Sequence, residues 1–102
     1  MNSHVRNFLR QRAHELQPVV MIGQLGVDGR IVRALDEALT SHELVKVRFQ
    51  AHEDERRAIA SDLAEATRAE VVSIIGHVAT FFRQNPDQEH QLIHIPKHMR
   101  SL

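Results

Sequence analysis

The chain has no cysteine, tryptophan or tyrosine, and holds only four phenylalanines, four glycines and three prolines in 102 residues. Without cysteine, neither a disulfide framework nor a thiolate metal site can form. The scarcity of aromatic rings bears on Phe81 and Phe82, which as strand neighbours must point to opposite faces. The inward ring belongs to the core. The outward one is either covered by a helix or the C-terminal tail, or free to stack on a base; with so few rings in the chain, packing is favoured. No apolar run approaches the roughly 18 residues of a membrane span, and Met1-Asn2-Ser3-His4-Val5-Arg6 has no signal-peptide pattern, so a cytoplasmic location is expected.

Charge of one sign is also missing. Thirteen Lys and Arg balance thirteen Asp and Glu, with eight histidines besides. A dedicated non-specific nucleic-acid binder would carry an excess of cations, because neutralising phosphates dominates its affinity. The distribution is uneven, however. Residues 1–33 carry a net +3, from Arg6, Arg10, Arg12, Arg30 and Arg33 against Glu15 and Asp28, whereas residues 53–70 carry a net −3. One part of the fold can therefore be basic and another acidic.

At 42% hydrophobic residues the chain is rich enough for a core, and its length suits one domain. Val5, Phe8, Leu9, Ala13 and Leu16 recur at steps of three and four, predicting a helix over 3–16 capped by Ser3 and ended by Pro18. Val19 to Ile22 is a short apolar run suited to a buried strand. A second helix follows Gly26, with Asp28 near its start and Val27, Ile31, Ala34, Leu35, Ala38 and Leu39 on one face. It should stop near Thr40-Ser41-His42. From Glu43 the period becomes two: Val45, Val47 and Phe49 face the core, while Leu44, Lys46 and Arg48 face away.

Residues 53–69 read as a third helix with Ile59, Leu63 and Ala66 inward. Residues 70–75 and 78–83 form a hairpin about Gly76-His77. Ile93 and Ile95 could add a short edge strand, and residues 97–102 are expected to be loose. The order α-β-α-β-α-β-β points to one α/β domain, residues 1–84, with a four-stranded mixed sheet and a polar, partly ordered tail over 85–102.

Gly23-Gln24-Leu25-Gly26 lies between a strand and a helix. Such a turn exposes backbone N–H groups and lets a nucleic-acid backbone approach closely. It lacks the continuation of a dinucleotide fingerprint and the Lys-Ser/Thr of a phosphate-binding loop. Spacing alone leaves a purely structural turn and a backbone-cradling loop both open. Arg6 and Arg10 share a helix face, Lys46 and Arg48 share a strand face, and Arg30 and Arg33 flank the apolar stripe of the second helix. If those elements are neighbours, the cations form a track for phosphates; the alternative is an ordinary solvated surface. His77 could donate from its turn. His90, His94 and His98 are spaced by four, but Pro96 breaks any helix that would align them, so no metal site is expected. No serine stands in a nucleophile turn and no carboxylates pair for acid–base work, so neither enzyme activity nor a cofactor is expected.

Pro18 to Val27, Ala34-Leu35-Asp36-Glu37-Ala38-Leu39, His42 to Val47, and Ile75-Gly76-His77 followed by Phe81-Phe82-Arg83 together resemble the YhbY-like members of the CRM family (chloroplast RNA splicing and ribosome maturation), over roughly residues 5–84. The resemblance implies a fold similar to the C-terminal domain of bacterial translation initiation factor three. It also implies non-catalytic binding of ribosomal RNA in large-subunit precursors, with ribosomal proteins as further partners and neither a small-molecule substrate nor a membrane. Its glycine loop maps onto Gly23, Gln24, Leu25 and Gly26, with Arg6, Arg10, Arg30, Arg33, Lys46, Arg48, His77 and Arg83 as surrounding candidates. The chain departs from the pattern where Gln24-Leu25 replaces a basic residue, Asp28 adds a carboxylate, His77 replaces lysine and Phe82 replaces tyrosine. These departures keep open an alternative: an interaction module of the same fold with little affinity for RNA.

Overall fold

The computed structural model describes residues 1–100; Ser101 and Leu102, the end of the expected tail, lie outside the described residues. The elements are α1 (Ser3–Ala13), β1 (Pro18–Ile22), α2 (Gly29–His42), β2 (Leu44–Phe49), α3 (Arg56–Thr67), β3 (Glu70–Ile75), β4 (Val78–Phe82) and α4 (Lys97–Arg100). Short 3-10 turns lie at Glu53–Glu55 and Gln88–His90. The sheet order is β1-β2-β4-β3, with β1 parallel to β2 and the other neighbours antiparallel. This is the mixed α/β arrangement expected from the element order.

Both faces of the sheet carry a core. On the first, α2 and α3 cover Val20, Ile22, Val45, Val47, Phe49, Ala79 and Phe81. On the second, Val5, Leu9 and Ala13 of α1 meet Leu44, Val72 and Phe82, with Ile93 and the partly buried Ile95 and Met99 closing over them. Phe81 and Phe82 thus divide between the two cores, which explains a strand buried on both sides. Each fully buried large side chain contributes about 1.5–3 kcal/mol.

The second core corrects several expectations. Leu44 does not face away from the protein with Lys46 and Arg48; α1 covers its end of the sheet and buries it. Ile93 and Ile95 form no edge strand, because their side chains are used against α1 instead. Lys97–Arg100 is helical, with Met99 packed inward, rather than loose.

Two helices also differ in detail. The cap of α1 is Asn2, whose Oδ1 accepts from Val5 N at 2.9 Å, and the helix ends at Ala13, leaving Leu16 in the linker to Pro18. In α3 the inward residues are Ala60, Leu63, Ala64 and Thr67, with Ile59 at the margin and Ala66 exposed. Its acidic first turn separates as the 3-10 segment after His52, a residue in the left-handed region (φ 59°) that redirects the chain.

Strand β3 carries an irregularity between Val71 and Ser73. A bulge of this kind turns successive side chains toward one face. Here Val72 enters the second core and Ser73 also lines the second face, beside Thr80, its partner in β4.

Candidate functional site

The glycine loop joins the end of β1 to α2. A turn bond from Gly26 N to Gly23 O, at 3.0 Å, closes it, and Gly26 takes φ +73°, where a side chain is strained. Gly23 has open space where a Cβ would stand, so its face can be approached closely. Leu25 is 85% exposed at the tip. The loop is held from below by His52, whose Nε2 lies 2.8 Å from the Gln24 carbonyl and donates to it. Asp28 caps α2 by accepting from Arg30 N and Ile31 N. Its carboxylate also binds the Arg30 guanidinium through Nε and Nη2, at 3.2 and 2.9 Å. That side-chain hydrogen bond, followed by the bonds from backbone N–H groups, holds the Asp28 carboxyl below its ordinary range.

The candidate cations do not form one track. Helices α1 and α2 pack on opposite faces of the sheet, so Arg6 and Arg10 are separated from Arg30 and Arg33 by the sheet itself. Arg30 is neutralised by Asp28, while Arg33 is exposed on α2. His77 Nδ1 faces Glu53 Oε1 at 3.1 Å, and its carbonyl accepts from Phe49 N, so the turn is tied to an acidic segment. Arg83 stands at the other end of β4 from that turn. Its guanidinium donates to Asp36 Oδ1 and O, Thr40 Oγ1 and Thr67 O, at 2.6–3.0 Å, bracing α2 against the end of α3. This arginine is a structural clamp.

What the fold does bring together is Arg10, Lys46 and Arg48. The second face is covered only where α1 and the tail lie across it, and beyond α1 the sheet is open. A groove of about 430 Å³ runs there between α1 and the strands. Arg10 and His14 form one wall, Lys46 and Arg48 rise from β2, and Ser73, Val78 and Thr80 form part of the floor. No carboxylate is among its lining residues. Lys46 Nζ donates to Leu16 O at 3.1 Å, tying the wall to the floor and leaving two ammonium protons for a ligand. Arg10 spends one donor on Asn7 Oδ1 and keeps the rest. Arg6 lies one helical turn before Arg10 and extends the basic side of α1. The acidic residues of 53–65 sit with α3 on the opposite side of the sheet, so zero net charge conceals a charge split between the two faces.

The glycine loop is continuous with this surface through β1. Met21, two residues before Gly23, pairs with Arg48, which pairs with Val78, which pairs with Ile75. These four make a row across the open end of the sheet, in which Arg48 is the one charged member among apolar neighbours. Among the described residues, no group of three or more His, Asp or Glu is placed to hold a metal ion.

Residues 1–83 match the model of the CRS1/YhbY (CRM) domain. The chain belongs to that family. A probable RNA-binding protein of Methanocaldococcus jannaschii is 36% identical over 101 residues, covering 95% of this chain and 74% of its own length. A probable RNA-binding protein of Pseudomonas aeruginosa is 34% identical over 85 residues, 82% of each chain. The solution structure of a hypothetical protein from Staphylococcus aureus is similar throughout, with a TM-score of 0.77 at 31% identity, covering 94% of this chain and all of that one.

Three features of this CRM domain escaped sequence reasoning. Glu43 stood out only as the point where the two-residue period begins, yet it is 1% exposed and bonded to three backbone N–H groups of the C-terminal segment. Only a charged residue directly before the apolar pair Leu44-Val45 hinted at it. The support of the glycine loop by His52 depends on a left-handed residue that carries no glycine signal. Ser73 and Thr80 come together only through strand pairing with a bulge.

Proposed function

We propose that this CRM domain is a non-catalytic RNA-binding protein that acts on ribosomal RNA in precursors of the large subunit during assembly, in the cytoplasm. The observation that carries the reading is the groove in which Arg10, Lys46 and Arg48 converge without a carboxylate. Cations placed in this way attract the phosphate backbone and release its counterions. Family membership, and relatives from an archaeon and a bacterium that are named as RNA-binding proteins, support the same class of ligand. The step from RNA to ribosomal RNA rests on the CRM resemblance, as does the expected likeness of fold to the C-terminal domain of initiation factor three.

In this reading the groove supplies charge and the loop from Gly23 to Gly26 supplies a close backbone approach beside it. Arg6 extends the basic surface, whereas Arg30, His77 and Arg83 take lesser parts because carboxylates or carbonyls already hold their donors. The test is RNA binding by the full chain across a salt series, compared with Arg10→Glu and Arg48→Glu. Affinity should fall with salt, and each reversal should weaken binding and flatten the salt slope. Binding indifferent to both salt and reversal would refute the reading.

One observation favours a second contact with protein rather than RNA. Leu25, at the loop tip, borders an apolar hollow shared with Ile31 and Ala34, where the only cation, Arg30, is paired. A ribosomal protein would fit that hollow better than a phosphate would. Co-sedimentation with large-subunit precursors that survives nuclease treatment, but is lost in Leu25→Asp, would assign the tip to a protein partner.

A further inference from the structure

We infer that the groove beside α1 is a pocket for an unpaired nucleotide of RNA, with its phosphate on Arg10, Lys46 and Arg48 and its ribose or base edge on the hydroxyls of Ser73 and Thr80. This deepens the functional reading above and rests on it.

The floor of the groove carries the inference. Thr80 is 3% exposed, and it lines the groove at the base of the cationic wall. Neither its hydroxyl nor that of Ser73, its pairing partner, has a hydrogen-bond partner among the described residues. Thr80 Oγ1 remains reachable from the groove although the rest of the residue is buried, so it can exchange water there for a polar group of a ligand. The bulge in β3 turns Ser73 to this face, which adds a second hydroxyl where regular alternation would place none.

The shape decides between unpaired and paired RNA. A duplex presents its phosphates on the outside of a wide cylinder and would meet the rims of the groove, leaving the hydroxyls at its floor unmet. An unpaired nucleotide can enter the recess. There its phosphate meets three cations, Val78 offers an apolar surface to the sugar or base, and each hydroxyl can both donate and accept. A ribose 2′-hydroxyl matches that capacity, which DNA lacks. Three of the four phenylalanines are buried in the two cores, and Phe8 packs against the second. Recognition here therefore works through hydroxyls and cations instead of through an aromatic stacking platform.

The test uses fluorescence anisotropy of the full chain at one salt concentration with three labelled probes. They are a short unstructured single-stranded RNA of mixed sequence, the duplex of that strand with its complement, and the DNA strand of the same sequence. The single-stranded RNA should bind more tightly than either of the others. Thr80→Val replaces the hydroxyl with a methyl and keeps the β-branched shape, and Ser73→Ala removes the hydroxyl at the edge strand. Each should weaken single-stranded RNA by about three- to tenfold, leave the duplex unchanged and narrow the preference for RNA over DNA. Duplex binding that equals or exceeds single-stranded binding would overturn the inference alone. So would Thr80→Val and Ser73→Ala both leaving single-stranded affinity unchanged. Failure of every RNA probe to bind would overturn the functional reading as well.

Discussion

Glu43 offers the sharpest test of how the C-terminal segment is attached. It follows α2 at φ 63°, and its buried carboxylate accepts from Leu92 N at 2.8 Å and Ile93 N at 2.7 Å through Oε1, and from Asn85 N at 2.6 Å through Oε2. Its own carbonyl accepts from Arg83 N. Hydrogen bonds to a charged group are worth about 1.5–3 kcal/mol each. Three of them set a ceiling of about 9 kcal/mol in Glu43→Ala. The segment can swing outward and rehydrate its N–H groups, which limits the loss to freeing Ile93 and its neighbours from the second core. The expected destabilisation is therefore about 3 kcal/mol, measured by urea unfolding. Hydrogen exchange should quicken at the amides of Leu92 and Ile93 before it does in the sheet. Glu43→Gly loses the same bonds but relieves the left-handed backbone, so it should be more stable than the alanine variant by about 1 kcal/mol. An alanine variant within ~0.5 kcal/mol of the parent, or a glycine variant below the alanine one, would refute the reasoning.

Three further outcomes follow from the same geometry. Arg83→Met should cost about 2–3 kcal/mol in urea unfolding, since Asp36, Thr40 and the Thr67 carbonyl lose a common donor. It should weaken RNA binding far less than Arg10→Glu does, and Arg83→Lys should recover less than half of the stability loss. Gly26→Ala should cost about 1 kcal/mol from its positive φ alone, because the added methyl would meet the His52 ring at an ordinary contact distance of 3.6 Å. The Asp28 carboxyl is held below its ordinary range chiefly by Arg30, so it contributes stability that is present above the unfolded value of about 4 and is lost as pH falls through the lower folded value. Stability of the parent should therefore fall more steeply below pH ~4 than that of Asp28→Asn; equal slopes would contradict this.

Much of the fold was legible because periodicity is a local property. The alternation of Val45, Val47 and Phe49, the four-residue spacing of Val5, Leu9 and Ala13, and the cap at Asp28 each lie within a few residues of chain. What was not legible depends on contacts between distant segments. Leu44 read as outward because alternation says which residues share a face, not whether a second layer covers that face. Ile93 and Ile95 looked like an edge strand because the pocket they fill is made by α1, about eighty residues earlier in the chain. The cations were all visible as residue types, but their grouping was not. Arg10, Lys46 and Arg48 meet because α1 crosses the second face, while Arg30 and Arg33 are carried to the first by α2. Arg83 was visible only as a charge, and its four acceptors come from α2 and α3. The hydroxyls of Ser73 and Thr80 gave no signal, since serine and threonine in strands are ordinary until their partners are counted.

The split between a basic second face and an acidic first face gives the molecule a direction. RNA held on the second face leaves α3 and its carboxylates turned away, where they repel further phosphates and limit binding to one side of the sheet. Ultraviolet crosslinking of the full chain to RNA, followed by identification of the crosslinked peptides, tests this most directly. RNA seated on the second face predicts crosslinks in peptides from α1 and the linker through Gln17, from β2 around Lys46 and Arg48, and from the hairpin over 73–80. Crosslinks concentrated in α3, or spread evenly over both faces, would contradict it.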